Sequence, residues 1–453
     1  MAATREPLPV APERPDPLYS KLSPGPGRSR VEVAAHQRER LLKSMVQITG
    51  ERGYTAVTVR ELAQLAGVST RAFYEHFEGK EECFLRTYEL VVRRATTRIV
   101  ISQRGEPNWL ERLHLAFAAF AQGIATKPDG ARLALVEPFT AGPAALERTR
   151  TTEGAFETMV GEAFARAPGR PEVPTLILKG IVAGITSVAR ARLLTSREGE
   201  LPGLVDELLD WTLSLCSVEA TELRELNRGV AWASIPAKSA IAESLRRNEK
   251  FLYTDDRGLI LSAVTKLAIS EGCQQLTVPR IRDAAGVSQR SFSTEFTGVE
   301  DCFIAALDQR IRNALKFAAK YQTGRTWPEG VYRSISSFCV QIANDPMVVQ
   351  FGFIEALAAN TNGMRRSEGL ALDIAKLIKN DATETHLPSV LDLEASAGAI
   401  WGVLHHSILA GRAQQLPRAA ATLSFLALAP TIGPPEALET VRRWQSKGSK
   451  AGR

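Results

Sequence analysis

The chain contains an internal repeat, which constrains its architecture more than any other feature. Residues 53–84 align without a gap with residues 272–303, and 14 of the 32 aligned positions are identical. Self-similarity over such a length indicates a duplicated structural unit. The correspondence continues more weakly at an offset of 218 residues, where Phe120, Pro128, Glu137 and Gly184 match Phe338, Pro346, Glu355 and Gly402. We therefore expect a whole module, and not one motif, to be duplicated.

Length and composition agree with a folded chain of several domains. The 453 residues predict two to four domains at roughly 100–200 residues each. The 44% apolar and 23% charged residues exclude fibrous and wholly disordered chains. A net charge of +6 permits a nucleic-acid partner without requiring one. The five cysteines include no Cys-x-x-Cys pair, so neither a zinc ribbon nor a disulfide framework is predicted.

Hydrophobicity patterns predict an all-α protein without a membrane span. Apolar residues recur at helical spacing in three stretches, within 41–48, 110–124 and 331–342, and no series of alternating strand-like segments is present. The most apolar stretch, 176–189, is too short to cross a bilayer at about 20 residues. Because the first thirty residues hold no apolar core of a secretory signal, we expect a cytoplasmic protein.

The first copy of the repeat carries a helix-turn-helix pattern. Thr58 and Glu61 are spaced as a capping box that begins a short helix. Gly67 permits a turn that other residues resist, and Ser69 can cap a second helix extending to Phe77. The polar face of this second helix is suited to the DNA major groove. We expect Arg71 to contact guanine edges or phosphate, and Tyr74, His76 and Lys80 to contact phosphates.

The segment Gly67-Val-Ser-Thr-Arg-Ala-Phe-Tyr-Glu-His-Phe-Glu-Gly-Lys-Glu81 closely resembles the DNA-binding signature of TetR-family transcriptional regulators. The resemblance covers about 50 residues directly, and the rest of the first half fits the family's variable ligand-binding and dimerisation domain only in helix content. It implies a cytoplasmic DNA-binding regulator, usually a repressor released by a small ligand. It assigns Thr58 and Lys80 to phosphate, and to the DNA face it assigns Ser69, Thr70, Arg71, Tyr74 and His76.

The repeat and the resemblance together predict two TetR-like modules in one chain, each a helix-turn-helix domain of three helices followed by a helical ligand-binding and dimerisation domain. The predicted boundaries are a disordered Pro-rich basic arm (1–30), a first DNA-binding domain (31–95), a first regulatory domain (96–228), a linker (229–248), a second, diverged DNA-binding domain (249–313), a second regulatory domain (314–440) and a basic tail (441–453). Because TetR-like regulators generally act as dimers, the two modules are expected to form an intramolecular pseudo-dimer.

The second copy departs from the pattern at several positions. Arg282 replaces the small Ala63 where two helices cross, and Arg280 replaces Glu61, which removes the capping box. Ser293, Glu295 and Val299 stand in place of Tyr74, His76 and Lys80. The weaker DNA-contact candidates of this copy are Thr277, Ser288, Gln289 and Arg290. Two interpretations stay open: the second copy contacts DNA as the first does, or it is a retained fold that serves in dimerisation or ligand sensing.

The predicted partners are a double-stranded DNA operator with unequal half-sites and a small-molecule effector of unknown identity, and further self-association of the chain is possible. An enzyme is not expected, because the sequence has no glycine-rich phosphate loop, nucleophile elbow or metal-ligand spacing. No cofactor, catalytic residue or metal site is predicted. Adjacent His405 and His406 point in different directions on a helix, so with His386 they do not make a metal set.

Overall fold

The computed structural model describes residues 29–167, 172–216, 255–271, 275–322, 326–345, 361–383 and 386–451, and the regular secondary structure in these ranges is helical. The first half comprises α1 (Arg30–Arg52), α2 (Val59–Ala66), α3 (Thr70–Tyr74), α4 (Lys80–Ser102), α5 (Trp109–Thr126), α6 (Pro128–Leu135), α7 (Pro138–Ala141), α8 (Pro143–Ala165), α9 (Thr175–Leu194) and α10 (Val205–Leu215). The second half comprises α11 (Asp256–Glu271), α12 (Val278–Ala285), α13 (Gln289–Glu295), α14 (Val299–Ala319), α15 (Trp327–Asn344), α16 (Thr361–Lys379), α17 (Val390–Leu409), α18 (Leu416–Ile432) and α19 (Pro434–Ala451). Short 3₁₀ turns lie at Tyr54–Ala56, Glu198–Leu204 and Ala413–Gln415.

Each half begins with a three-helix head, α1–α3 in the first half and α11–α13 in the second. The long helices α4 and α14 run from the heads into the bodies, so the boundaries predicted at 95/96 and 313/314 fall inside helices. The segment 441–453 was predicted as a tail, but α19 continues to Ala451 and Val441 is fully buried. The predicted linker and residues 1–28 of the arm lie outside the described residues.

The two halves meet where α9 packs against α17, with α10 against α17 and α18. This contact surface, called the seam below, brings the two backbones close together. A Cβ atom built on Gly402 would overlap that of Ala183, and one built on Gly398 would overlap that of Ser187. An ion pair between Arg192 and Glu394 and a hydrogen bond from Trp211 Nε1 to Ser396 Oγ (3.1 Å) extend the seam.

Contacts at the seam are related by a two-fold exchange of the halves. A residue of α9 corresponds to the residue of α17 whose number is larger by 215. When the halves are exchanged, the Ala183–Gly402 contact therefore becomes a Gly398–Ser187 contact, and these two residues also touch. The same operation converts the Gly180–Ala399 contact into the Gly184–Ala395 contact. The bounds of α9 and α17 also differ by 215 at both ends. An isologous arrangement of this kind is what symmetric dimers have.

The helix pairs also correct one detail of the sequence repeat. The bounds of α5 and α15 differ by 218 at both ends, whereas those of α9 and α17 differ by 215. The second half is therefore three residues shorter between these helices. The match of Gly184 with Gly402 at an offset of 218 was wrong, because Gly184 corresponds to Ala399. Pro346 and Glu355, which were also matched, lie outside the described residues.

The hydrophobic cores of the two heads are connected differently to the bodies. Among the described residues, the first head has a cluster of its own, built around Leu41, Leu62 and Phe73. Leu133 of α6, Ala141 of α7 and Ala145 of α8 join this cluster from the body. The core of the second head is continuous with the large cluster that fills both bodies.

Candidate DNA-binding interface and ligand cavity

Helix α2 of the first head begins at a capped threonine. Thr58 is its N-cap, and the Thr58 hydroxyl accepts a hydrogen bond from the backbone N of Glu61 (3.2 Å). The Glu61 carboxylate reaches back and accepts from Thr58 Oγ1 (2.8 Å), and it also pairs with Arg52 (3.0 Å). These hydrogen bonds, first that of Thr58 and then that of Arg52, lower the pKa of Glu61. The cap fixes the start of the helix-turn-helix as the sequence predicted.

The turn that follows sets the angle of the second helix. Gly67 ends α2 in the left-handed conformation (φ +63°), which costs glycine little. Ser69 caps α3 by accepting from the backbone N of Ala72 (3.0 Å). Helix α3 ends at Tyr74, three residues before the predicted end. Phe73 and Phe77 are both buried, with ring centroids 5.6 Å apart, and they hold this short helix against the head.

The structure brings most of the predicted contact residues of the first head onto one exposed surface. The Arg71 side chain is 91% exposed and lies 3.5 Å from Glu75, one turn further along α3. Tyr74 is 57% exposed although it is a large aromatic residue. The predicted residues of this head that are exposed are Thr58, Ser69, Thr70, Arg71 and Tyr74. Such a surface can present a cation, hydroxyls and an aromatic ring to DNA.

His76 and Lys80 are half-buried and already engaged within the head. The His76 Nε2 atom lies 3.4 Å from Gln37 Oε1, and burial lowers the pKa of His76. Lys80 Nζ donates to the carbonyl of Val57 (3.2 Å) and lies 4.6 Å from the centroid of the Tyr54 ring. Lys80 thus lies at the start of α4 and is hydrogen-bonded to the segment before α2.

The second head has the same helix-turn-helix arrangement, with a left-handed Gly286 between α12 and α13, but different surface chemistry. Its candidates Thr277, Ser288, Gln289 and Arg290 are all exposed. Thr277 precedes α12 without capping it through its side chain, as the loss of the capping box predicted. Arg282 NH1 donates to Gln289 Oε1 (3.0 Å), and Gln289 Nε2 donates to Ser293 Oγ (3.0 Å). The Gln289 side-chain amide therefore already forms hydrogen bonds with Arg282 and Ser293 of the same head.

The Glu295 side chain of the second head points toward α11 of the same head. Its carboxylate lies 3.4 Å from NH1 of Arg257, and the Arg257 guanidinium covers the Phe296 ring at 4.5 Å. The first head has the equivalent stack of Arg38 on Phe77 at 5.4 Å. An aligned ion pair has meanwhile exchanged its charges, because Glu271–Arg280 replaces Arg52–Glu61.

A cavity of about 760 Å³ lies in the body of the first half. Its walls are mainly apolar side chains of α4, α5, α8 and α9, and it also reaches α1 and α6. Charged side chains contribute five cations and three acids, namely Lys43, Arg94, Arg98, Lys127, Arg190, Glu51, Asp129 and Glu153. A cavity of this size is within the range of small-molecule sites, about 300–1,000 Å³. Sequence reasoning assigned no ligand residue, because cavity walls and core carry the same apolar pattern.

A smaller cavity of about 60 Å³ lies at the seam and is lined by residues of both halves, including Phe139, Arg190 and His405. His406 also lines it, and burial lowers the pKa of His406 to about 4. Within the part of the chain that the structure describes, no three His, Cys, Asp or Glu side chains are grouped as a metal site. No described helix has the length and apolar character needed to cross a membrane.

These features define a helix-turn-helix DNA-binding class, and comparison with known families supports this assignment. Residues 41–87 match the family model for bacterial regulatory proteins of the tetR family. This match covers about a tenth of the chain and supports the resemblance of the first head to the DNA-binding domain of that family. The match includes all seven predicted contact positions of the first head.

Two curated relatives are also transcriptional regulators. The chain is 34% identical over 56 residues to the uncharacterized HTH-type transcriptional regulator YerO of Bacillus subtilis, spanning 12% of this chain and 19% of YerO. It is 26% identical over 155 residues to the HTH-type transcriptional activator FasR of Mycolicibacterium smegmatis, spanning 34% of this chain and 71% of FasR. The chain therefore matches only about a fifth of the length of YerO.

Solved structures give similar alignments at low identity. The fatty acid degradation regulator FadR of Bacillus halodurans aligns with a TM-score of 0.36 and 17% identity, over 39% of this chain and 97% of that one. FadR of Bacillus subtilis, solved in complex with stearoyl-CoA, aligns with a TM-score of 0.36 and 14% identity, over 40% of this chain and 99% of that one.

Proposed function

We propose that this chain is a sequence-specific transcriptional regulator that binds its operator as a single-chain pseudo-dimer. The two-fold exchange of contacts at the seam supports this arrangement most directly. A covalent link sets the effective concentration of the partner module by the linker instead of by expression level. The dimer contact is then present at any concentration of the protein.

The first head is the principal DNA reader in this proposal, and the second module serves mainly in dimerisation or ligand sensing. In the first head, Arg71 is almost fully exposed, whereas in the second head Arg282 occupies Gln289. The separate core of the first head supports a unit that can adjust its position on DNA. DNA contact by both heads, each with its own half-site preference, is the alternative.

A small molecule bound in the 760 Å³ cavity controls DNA binding in this proposal. The cavity is lined both by body helices and by α1 of the first head, including Lys43 and Gln47. A ligand there would favour one arrangement of head and body over another, which shifts DNA affinity. The apolar walls and the excess of cations favour an amphipathic molecule with an acidic group. Repression is the direction that the family resemblance implies, while FasR is named an activator.

DNA binding is tested by selecting duplexes from a random pool with the full chain. We expect an asymmetric site, bound by one chain, with an affinity that falls steeply with salt because phosphate contacts release counterions. Footprinting and the mass of the complex report the symmetry and the stoichiometry. A strict palindrome bound by two chains would contradict the single-chain pseudo-dimer, because the dimer on DNA would then form between chains.

Ligand control is tested with stearate, stearoyl-CoA and the neutral stearyl alcohol as probes. A ligand that binds only the folded state raises the thermal midpoint with concentration. We expect one of the two acidic probes to do so and to change DNA affinity. Ala116→Trp places an indole in the cavity and should remove both effects, whereas Gly154→Ala, at an open position of α8, should retain them. Equal responses of Ala116→Trp and the parent chain would exclude this cavity as the site.

A further inference from the structure

A buried carboxylate joins the first head to its body. Glu137, directly before α7, is 1% exposed. Its Oε2 atom accepts from the backbone N of Tyr54 (2.8 Å) and from Thr140 Oγ1 (3.1 Å). Burial raises the pKa of Glu137, and these two hydrogen bonds oppose that shift. Because a buried carboxylate is costly without hydrogen bonds, the Tyr54 amide and Glu137 depend on each other across 83 residues of chain.

Tyr54 in turn supports the phosphate-side residues of the first head. It opens the short 3₁₀ turn between α1 and the Thr58 cap, and its ring packs edge-on against Phe84 with centroids 4.9 Å apart. The ammonium of Lys80 rests 4.6 Å from the centroid of that ring and is held by the carbonyl of Val57. A shift of the Tyr54 backbone would therefore displace both Lys80 and the segment that leads into α2.

The other side of α7 faces the seam. Phe139 is 8% exposed, and its ring centroid lies 6.3 Å from that of His405 in the second module. The guanidinium of Arg190 lies 5.7 Å from the same ring, and Arg190 also lines the large cavity. Helix α7 thus touches the first head through Glu137, and the second module and the cavity wall through Phe139.

We propose that Glu137 is a positioning residue for DNA binding. We also propose that, through α7, the orientation of the first head relative to its body depends on the second module. Glu137 fixes the Tyr54 amide, and Tyr54 and Val57 fix the Lys80 ammonium for a phosphate. His405 holds Phe139, and with it the short helix that carries Glu137. This inference rests on the proposed DNA-binding function, and it gives the second module a role that does not need contact with DNA.

The anchor is tested in the full chain with Glu137→Ala and Glu137→Gln, using the duplex selected by the parent chain. Glu137→Ala should weaken binding about tenfold and reduce the salt slope by about one contact, since one phosphate interaction is lost. Glu137→Gln retains an acceptor oxygen and should bind within about threefold of the parent. Asp345→Ala, which removes a half-buried carboxylate that pairs with Arg310 (2.7 Å) and is not among the residues that line the seam cavity, is the control for a general loss of stability and should leave DNA affinity unchanged.

A double-mutant cycle separates positioning from a merely structural role. If Glu137 acts through Lys80, then Glu137→Ala combined with Lys80→Ala binds no more weakly than Lys80→Ala alone. Fully additive losses, or a Gln variant as weak as the Ala variant with an unchanged salt slope, would overturn the assignment. Hydrogen exchange at the Tyr54 amide gives a readout without DNA. It should accelerate in Glu137→Ala and not in Glu137→Gln, even if the chain selects no duplex and the proposed function fails.

The contribution of the second module is tested by His405→Ala. Exchange at the Tyr54 amide should accelerate, and DNA affinity should fall about threefold. His386→Ala is the matched control, because His386 also stacks on an aromatic ring, that of Trp327 (6.1 Å), but does not line the seam cavity. Identical exchange at Tyr54 in His405→Ala and the parent chain would show that α7 does not transmit the state of the second module.

Discussion

The two heads of this chain keep one backbone and differ in what they expose. Both turn at a left-handed glycine, Gly67 or Gly286, and both cap the second helix with a serine. At the point where the helices cross, however, Ala63 of the first head is 2% exposed, while Arg282 extends along the surface to Gln289. The fold thus tolerates changes in the exposed chemistry of the helices that are predicted to face DNA.

The largest expected effect of this difference is on DNA recognition. Arg71→Ala should cost about 1–3 kcal/mol of specific binding and relax the sequence preference, as expected for a residue that reads a base edge. Arg290→Ala, at the aligned position, should change the affinity less than threefold. Gel-shift titrations with the selected duplex and with single-base variants measure both. If Arg290→Ala abolishes binding while Arg71→Ala does not, the ranking of the heads is reversed.

The seam offers a second contrast, because there the halves stay similar. Gly398→Ala would push a methyl group into Ser187, and overpacking of this kind costs about 1–3 kcal/mol. Gly154→Ala, in the open middle of α8, should instead stabilise by about 0.5–1 kcal/mol, since alanine is the better helix former. Denaturant midpoints of the two variants should move in opposite directions. A stabilising Gly398→Ala would mean that the two helices are not packed this closely.

The turn chemistry of both heads could be predicted from sequence because it is local. The caps at Thr58 and Ser69 and the left-handed Gly67 depend on neighbours within four residues. The Glu137–Tyr54 hydrogen bond spans 83 residues, and no periodicity indicates it. The offset of 215 at the seam needed the packed helices, because three residues are lost where the sequence similarity is weakest. The path of the Arg282 side chain likewise depends on a surface that forms only after folding.

Arg282→Ala tests whether the second head can be made more like the first. The substitution removes a guanidinium whose Nε is buried without a hydrogen-bond partner, and it frees Gln289. We expect a stabilisation of about 0.5–1 kcal/mol, because a buried unsatisfied donor is costly, together with a gain in DNA affinity of up to about threefold. Thermal unfolding and gel-shift titration check these two effects. A destabilised variant with unchanged DNA binding would indicate that Arg282 is a structural requirement of the second head.

The exchanged ion pair gives the smallest expected effect and the cleanest comparison. Arg52→Glu in the first head sets two carboxylates against each other, and the exposed position keeps the loss of stability small. Adding Glu61→Arg reproduces the charge order of the second head and should recover most of that loss. The recovery should be incomplete, because Glu61 also accepts from the Thr58 hydroxyl (2.8 Å) and an arginine cannot. In the second head, Glu271→Arg with Arg280→Glu should instead exceed the parent in stability, since it gives the Thr277 hydroxyl a carboxylate partner like the one that Thr58 has in Glu61. Equal outcomes in the two heads would show that the cap contributes nothing beyond the ion pair.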